Sequence, residues 1–130
     1  MNPRSLSTDS LCEKIIGTAF LIHERLGSNA APHVYIKTFI EELLVYGLAI
    51  ELQKEYSILE KGKQIGSFIG AIVVEQSVVV DIRPANVQEE SAHLHMFNRL
   101  KEFGLKAGVF IHFGANVQAK KVSFDSGINR

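Results

Sequence analysis

The sequence predicts an α/β fold in which a mixed central sheet is flanked by helices. The apolar pattern changes along the chain from helical spacing to strand alternation and back again. Residues 107–114, AGVFIHFG, form a near-continuous apolar run that is typical of a strand buried on both faces, so helices are expected on both sides of the sheet. A chain of 130 residues with 46% hydrophobic composition can build one core, so we expect a single domain over 1–130, with 1–9 as a flexible N-terminal segment.

Two helices are predicted near the start of the chain. In the first, Ser10 and Glu13 make a capping box, and an apolar stripe follows as far as Gly27, which suits a C-terminal cap. The segment SNAAP interrupts the helical pattern. A second helix follows from about Val34 and is closed by Gly47.

Strand periodicity begins at Leu48 and predicts a first strand before the turn Lys61-Gly62-Lys63. Residues 68–85, FIGAIVVEQSVVVDIRPA, then read as two apolar strands joined by a tight turn about Gln76. Residues equally distant from that turn face each other in an antiparallel pair. Ala71 is therefore expected to lie directly across from the acidic residue at position 81.

The second half of the chain predicts one more helix and two more strands. A helical apolar stripe runs through residues 92–103 and ends at Gly104. The run AGVFIHFG is the fourth strand. The segment VQAKKVSF is predicted to add an edge strand, in which Lys120 and Lys121 discourage further pairing.

Asp81 and Arg83 are opposite charges two residues apart in an otherwise apolar strand, so they point to the same face of the sheet. An acid, a basic residue two positions later and a second acid across the hairpin would suit a metal-dependent nuclease, because carboxylates hold a hard divalent cation near the scissile phosphate. Here Ala71 stands where the second acid would be. The alternative is a structural ion pair near the end of the strand.

Composition bounds the setting of the protein. Lys plus Arg and Asp plus Glu both number 14, so no overall field draws the chain to nucleic acid or to an anionic membrane. Cys12 is the single cysteine, which excludes an internal disulfide, and we interpret it as a small filler on a helix. The start MNPRSLSTDS lacks the apolar core of a signal peptide, so an intracellular, cytoplasmic protein without a membrane span is expected.

Four segments, taken in order, resemble the GxxExxY proteins, a branch of the PD-(D/E)XK nuclease superfamily. They are GTAFLIHERLG, VYIKTFIEEL, KGKQIGSFIGAIVVEQSVVVDIRPA and LKEFGLKAGVFIHFGA, and the likeness runs from about Leu11 to Lys121. The most specific pieces are HERLG and GLKAGVFIHFG, of which the second is similar to the family's TGxxxGLLINFG segment. The resemblance implies an αβββαβ core with a mixed sheet, and nuclease ancestry.

The chain departs from the family pattern at the residues that carry its chemistry. The motif that names the family falls on residues 29–35, where Asn29 replaces its glycine, Pro32 replaces its glutamate and Tyr35 is retained. The family's strand aspartate falls on Ala71, and its ExK motif falls on Asp81-Ile82-Arg83. A guanidinium resists deprotonation and is a poor general base, so the replaced lysine also changes the chemistry.

The resemblance also assigns two histidines to the candidate site. His95 stands at the glutamine of the family's third core helix, and His23 stands where the family keeps a histidine beside its site. His95 and Arg99 are one helical turn apart and can both point toward Asp81. We therefore expect Asp81, Arg83, His95 and His23 to converge in one remnant site, with Asp81 as the candidate metal ligand. The alternatives are a half-buried structural role for His23 and a boundary ion pair for His95 and Arg99.

Three functions follow from this interpretation. The first is a catalytically inactive nuclease fold that acts as a binding or regulatory module, contacting nucleic acid or protein through the old cleft, with no cofactor. The second is an active nuclease dependent on Mg²⁺ or Mn²⁺ in which Glu75, Glu42 or Glu51 replaces the missing acid. The third is a homo-oligomeric assembly unit in which the edge strand pairs with a second copy.

Overall fold

The computed structural model describes residues 7–83, 101–102, 104–105 and 107–123. Its sheet has five strands in the order β1-β2-β3-β4-β5, in which β3 and β4 are parallel and all other neighbours are antiparallel. The predicted α/β fold with a mixed sheet is confirmed. The elements are α1 (Thr8–Leu26), α2 (Pro32–Val45), β1 (Ile50–Glu60), β2 (Lys63–Val74), β3 (Val78–Arg83), β4 (Ala107–Phe113) and β5 (Val117–Ser123).

Both helices begin earlier than the sequence predicts. The N-cap of α1 is Ser7, whose Oγ accepts a hydrogen bond from the backbone N–H of Ser10 at 3.1 Å, so the predicted capping box is wrong by three residues. A serine at either position can cap a helix. With Ser7 as the N-cap, Leu11 lies near the start of α1 and is buried in the core. Helix α2 begins at Pro32 rather than Val34, because proline suits the first helical position, where its missing N–H is no loss.

The two described helices cover one face of the sheet, which we call the helix-side face. Helix α1 packs against β3, β4 and β5, and α2 packs against β2. On this face β3 contributes Val78, Val80 and Ile82 to the main apolar core. Neither α1 nor α2 is long and apolar enough to cross a membrane.

The other side of the sheet, which we call the opposite face, is also buried. Val73, Val79 and Phe110 form a second apolar cluster there, with Leu105 and Val122 packed against it. Every residue of β4 is buried except one that is half-buried. This confirms that the apolar run AGVFIHFG is a strand buried on both faces.

The central hairpin has the register that the sequence predicts. Val74 pairs with Val78 and Ala71 pairs with Asp81, so the turn is centred on Gln76. The loop has three residues, Glu75 to Ser77, of which Glu75 and Gln76 both have a left-handed φ of 53°. The prediction that Ala71 and Asp81 are neighbours is therefore confirmed.

The predicted third helix lies mostly on residues outside those described. Lys101 and Glu102 are helical, and Gly104 has a φ of 70°, which agrees with its predicted place at the end of that helix. The predicted edge strand VQAKKVSF is confirmed as β5.

Cys12 is fully buried in the interface of α1 with the sheet, as predicted for a small filler. Burial raises the pKa of its thiol, and the nearby positive charge of Lys121 acts in the opposite direction. We expect a thiol reagent to modify native Cys12 at least about a hundredfold more slowly than a cysteine at the exposed position Ser28, because the reagent must wait for the fold to open. The Ser28→Cys control is measured in a Cys12→Ala background, and equal rates would contradict the burial.

The raised pKa of the Cys12 thiol also makes the stability of the fold depend on pH. The thiol has a higher pKa in the folded state than in the unfolded state. Its contribution to the free energy of unfolding is therefore fully present below the unfolded thiol's pKa of about 8.5, and it is lost as the pH rises through the pKa of the folded state. The free energy of unfolding should therefore fall in alkaline solution by more in the natural chain than in Cys12→Ala, as measured by urea titration at several pH values.

Candidate functional site

The candidate site lies on the opposite face, toward the C-terminal ends of the parallel strands β3 and β4. Asp81 is fully buried, and its register neighbours are Ala71 on β2 and Phe110 on β4. Two residues further along, Arg83 is the register neighbour of His112. Alternate residues of a strand share a face, so β3 and β4 bring an acid, an arginine position and a histidine to one part of the sheet.

Strand β5 extends these rows to the edge of the sheet. Lys120 continues the row of Asp81, and Gln118 continues the row of His112. Both side chains on β5 are exposed, whereas His112 is half-buried. On β3, β4 and β5, the polar residues of this face therefore lie toward one end, beside the apolar cluster described above.

Lys121, the next residue of β5, belongs to the other side. It is the register neighbour of Val109, which lies in the helix-side core. Its Nζ donates a hydrogen bond to the Asp9 carboxylate on α1, and this bond raises the pKa of the lysine. Lys120 and Lys121 thus carry the same charge on opposite faces.

The described residues at this site offer a divalent metal ion one carboxylate, that of Asp81. The position across from Asp81 holds the methyl group of Ala71, so β2 supplies no ligand at this pair. Among the residues that the structure describes, no three His, Cys, Asp or Glu side chains converge to hold a metal ion. A single buried carboxylate gives Mg²⁺ or Mn²⁺ little compensation for the water that the ion must release.

The three carboxylates considered as replacements occupy different places. Glu75 lies at the hairpin turn, where its Oε2 accepts a hydrogen bond from the backbone N–H of Ala49 at 2.5 Å. Glu42 lies on α2 and forms an ion pair with Arg25 at 3.6 Å. Glu51 is exposed on β1, and it pairs with a residue of the opposite face. Of the three, Glu51 alone shares a face with Asp81.

His23 belongs to an aromatic stack on the helix-side face. Its ring lies parallel to Tyr35 with centroids 5.3 Å apart, and Tyr35 in turn stacks on Phe113 at 5.2 Å. The His23 Nε2 lies 2.9 Å from the Gly114 carbonyl oxygen, and the Tyr35 hydroxyl donates to the carbonyl oxygen of Gly27. The stack therefore connects α1, α2 and the end of β4, which is a structural role.

The structure brings together some of the predicted site residues and separates others. Asp81 and Arg83 share the opposite face, as expected from strand alternation. His23 instead stacks with Tyr35 on the helix-side face. The reason is that the apolar stripe of α1 packs on the helix-side face. His95 and Arg99 lie outside the described residues.

One residue of the site was missed by sequence reasoning. His112 interrupts the apolar run of β4, and its side chain shares a face with Asp81 only because β4 pairs in parallel with β3 in this register. The alternation within FIHFG predicts that His112 and Phe110 face the same way. The parallel pairing is the information that the local sequence lacks.

A family model described as the PD-(D/E)XK nuclease superfamily matches residues 9–123. No curated protein and no solved structure matches the chain. The matched region runs from the first turn of α1 to the end of β5, and so it includes both strands of the hairpin that carries Ala71 and Asp81.

Proposed function

Because the chain belongs to the PD-(D/E)XK nuclease superfamily, we propose that it is a catalytically inactive member whose nuclease fold acts as a binding or regulatory module. We assign it to the GxxExxY branch, on the segments that resemble those proteins. The observation that carries the proposal is the register of the central hairpin, in which the partner of Asp81 on β2 is Ala71. The module binds a nucleic acid or a protein through the surface that corresponds to the catalytic cleft of an active nuclease.

The argument for inactivity is electrostatic. A metal-dependent nuclease must hold a divalent ion that has given up part of a tightly bound water shell, and carboxylates supply the compensating negative charge. At this site the neighbour of Asp81 on β2 is Ala71, and the residue two positions along β3, where the family has a lysine, is Arg83. An arginine also remains protonated, so it cannot take a proton from an attacking water molecule.

A second candidate function is an active nuclease in which Glu51 supplies the missing carboxylate. Its support is that Glu51 is exposed on the opposite face. Glu51 is level with Val73 and Val79, so two interstrand spacings and two residues along the strands, roughly 12 Å in all, separate the backbone of Glu51 from that of Asp81. That separation favours the inactive module.

We expect the purified protein to leave plasmid DNA, single-stranded DNA and RNA intact in the presence of Mg²⁺ or Mn²⁺. Its melting temperature should also be the same in Mg²⁺ and in chelator, because a weakly bound ion stabilises the folded state very little. A nicking assay with a chelator control and a thermal melt check the two results. Metal-dependent cleavage that is lost in Asp81→Ala would overturn the proposal. If cleavage is also lost in Glu51→Gln, the second candidate function is established.

Gain-of-function variants sharpen the same assay. Ala71→Asp, Arg83→Lys and Pro32→Glu restore the family's residue types at three positions and are compared singly and together. Activity gained by the combined variant would identify these substitutions as the cause of inactivity.

A further inference from the structure

We infer that the exposed side of α1 is a self-association surface, through which two copies of the chain pair with their α1 helices parallel about a two-fold axis. This surface, which we call the α1 ridge, consists of seven exposed residues: Glu13, Lys14, Gly17, Phe20, Leu21, Glu24 and Arg25. It does not depend on the proposed function. It also differs from the edge-strand pairing predicted from the sequence, because a helix makes the contact.

Helical geometry places two large apolar side chains together on the α1 ridge. A helix has about 3.6 residues per turn, so Phe20 and Leu21 follow Gly17 by one turn on the same side of α1. Phe20 is 47% exposed and Leu21 is 37% exposed. The other side of α1 is already buried in the main apolar core. An exposed pair of this kind, with charged residues around it, is typical of a surface that contacts another protein.

Gly17 has no explanation within a single copy of the described chain. Glycine is unfavourable in the interior of a helix, because fixing its backbone costs more conformational entropy than fixing that of alanine. A Cβ added at Gly17 would meet no other described part of the chain within 4 Å. A glycine allows two helix backbones to approach closely, so contact with a second helix accounts for its presence.

The charges of the α1 ridge favour a second copy as the partner. Relative to the line through Gly17 along the helix, Glu13 and Phe20 lie on one flank. Lys14 and Leu21 lie on the other flank. In a parallel pair of helices, one flank of each helix meets the other flank of its partner, as in parallel coiled coils. Glu13 of each copy then faces Lys14 of the other, and the apolar pair is matched in the same way.

The end of α1 repeats this pattern. Glu24 lies near the central line and Arg25 lies on the basic flank, so a parallel pair brings opposite charges together again. Arg25 forms an ion pair with Glu42 at 3.6 Å, but its side chain is 52% exposed and its five donors can serve a second carboxylate. Lys14 lies 3.9 Å from the ring centroid of Tyr46 and is also exposed. An antiparallel pair would instead bring two acidic flanks together.

The dimer is expected to be weak and reversible. One side of a 19-residue helix offers a small contact compared with stable interfaces, which bury roughly 1,200–2,000 Å² in all. The average mass in solution should therefore rise with protein concentration. Because α1 packs on the helix-side face, this pairing leaves the opposite face of each copy accessible.

Sedimentation velocity of the full chain over a range of concentrations tests the α1 ridge. The test variant is Leu21→Arg, and the matched control is Leu52→Arg, which makes the same change at a leucine on β1 that is 58% exposed. We expect Leu21→Arg to weaken dimerisation by at least about tenfold and the control to change it by less than about twofold. A natural chain that stays monomeric up to about 1 mM, or equal weakening by both variants, overturns the inference.

Gly17→Gln separates association from folding. Its melting temperature in dilute solution should equal or exceed that of the natural chain, because glutamine is the better helix former and the position is open. The same variant should weaken the dimer by at least about tenfold, because the added side chain holds the two helices apart. Dimerisation as tight as that of the natural chain would refute the close approach at Gly17.

A charge exchange tests the parallel orientation. Glu13→Lys should weaken the dimer by about twofold to tenfold, because two lysines would then meet at each of the two symmetry-related contacts. Adding Lys14→Glu to this variant exchanges the two charges and should restore dimerisation to within about twofold of the natural chain. A tighter dimer in Glu13→Lys alone, or no recovery in the double variant, would overturn the parallel arrangement.

Discussion

Ala71→Asp is expected to destabilise the protein by about 3–5 kcal/mol in chelator, and Mg²⁺ should restore much of this loss. Ala71 and Asp81 are both fully buried and are register neighbours on adjacent strands. Side chains at such positions have Cβ atoms about 5 Å apart, so two carboxylates would share one poorly hydrated site. A divalent ion bound between the two carboxylates would relieve their repulsion. The natural chain has only one carboxylate at this pair, so Mg²⁺ has no such repulsion to relieve.

Urea titrations of Ala71→Asp in chelator and in Mg²⁺ measure this effect, with Ala71→Asn as the control of similar volume and no charge. The loss should also shrink as the pH falls, because a protonated carboxylic acid no longer repels its neighbour. Equal destabilisation by Asp and Asn, with no response to Mg²⁺ or pH, would contradict a shared carboxylate site at this pair.

Phe113→Ala is expected to reduce the free energy of unfolding by about 3–5 kcal/mol. Phe113 is 1% exposed, stacks on Tyr35 and meets Phe39 edge-on with ring centroids 6.0 Å apart. Removing the ring leaves a cavity at the point where α1, α2 and β4 meet. It also removes the ring on which Tyr35 stacks, and Tyr35 in turn stacks on His23.

The matched control is Phe20→Ala, which makes the same chemical change at a residue that is 47% exposed. Its effect should be less than about 1 kcal/mol, since about half of that residue is already exposed to water. Chemical denaturation of both variants gives the comparison. Losses of similar size would show that Phe113 is not the centre of the core described above.

The hairpin shows which features the sequence determines locally. Strand alternation and a tight turn are enough to predict that Gln76 is the centre and that Ala71 pairs with Asp81, because both depend on residues close together in the chain. The start of α1 shows a limit of the same reasoning. Ser7 and Ser10 offer identical capping chemistry, and tertiary packing of the first turn decides between them.

The candidate site depends on information that is not local. Periodicity predicts that α1 has an apolar stripe, but it does not say which face of the sheet the stripe will cover. The face on which His23 lies could therefore not be predicted from the sequence. The role of His112 depends on the parallel pairing of β3 with β4, whose residues are far apart in sequence. Asp81 and Arg83 could be found from the sequence because their relation follows from alternation within one strand.

The parallel pair also has a consequence for folding kinetics. Strands β1, β2 and β3 form a meander with short turns, whereas pairing Arg83 with His112 joins residues that are far apart in the sequence. Long-range pairings form slowly because the entropy of closure must be lost before contacts compensate for it. The meander with Ala71 and Asp81 is therefore expected to form first, and docking of β4 and β5 later. The opposite face would then gain His112 and Lys120 only in the last step, so this part of the sheet would be completed after the hairpin that carries Asp81.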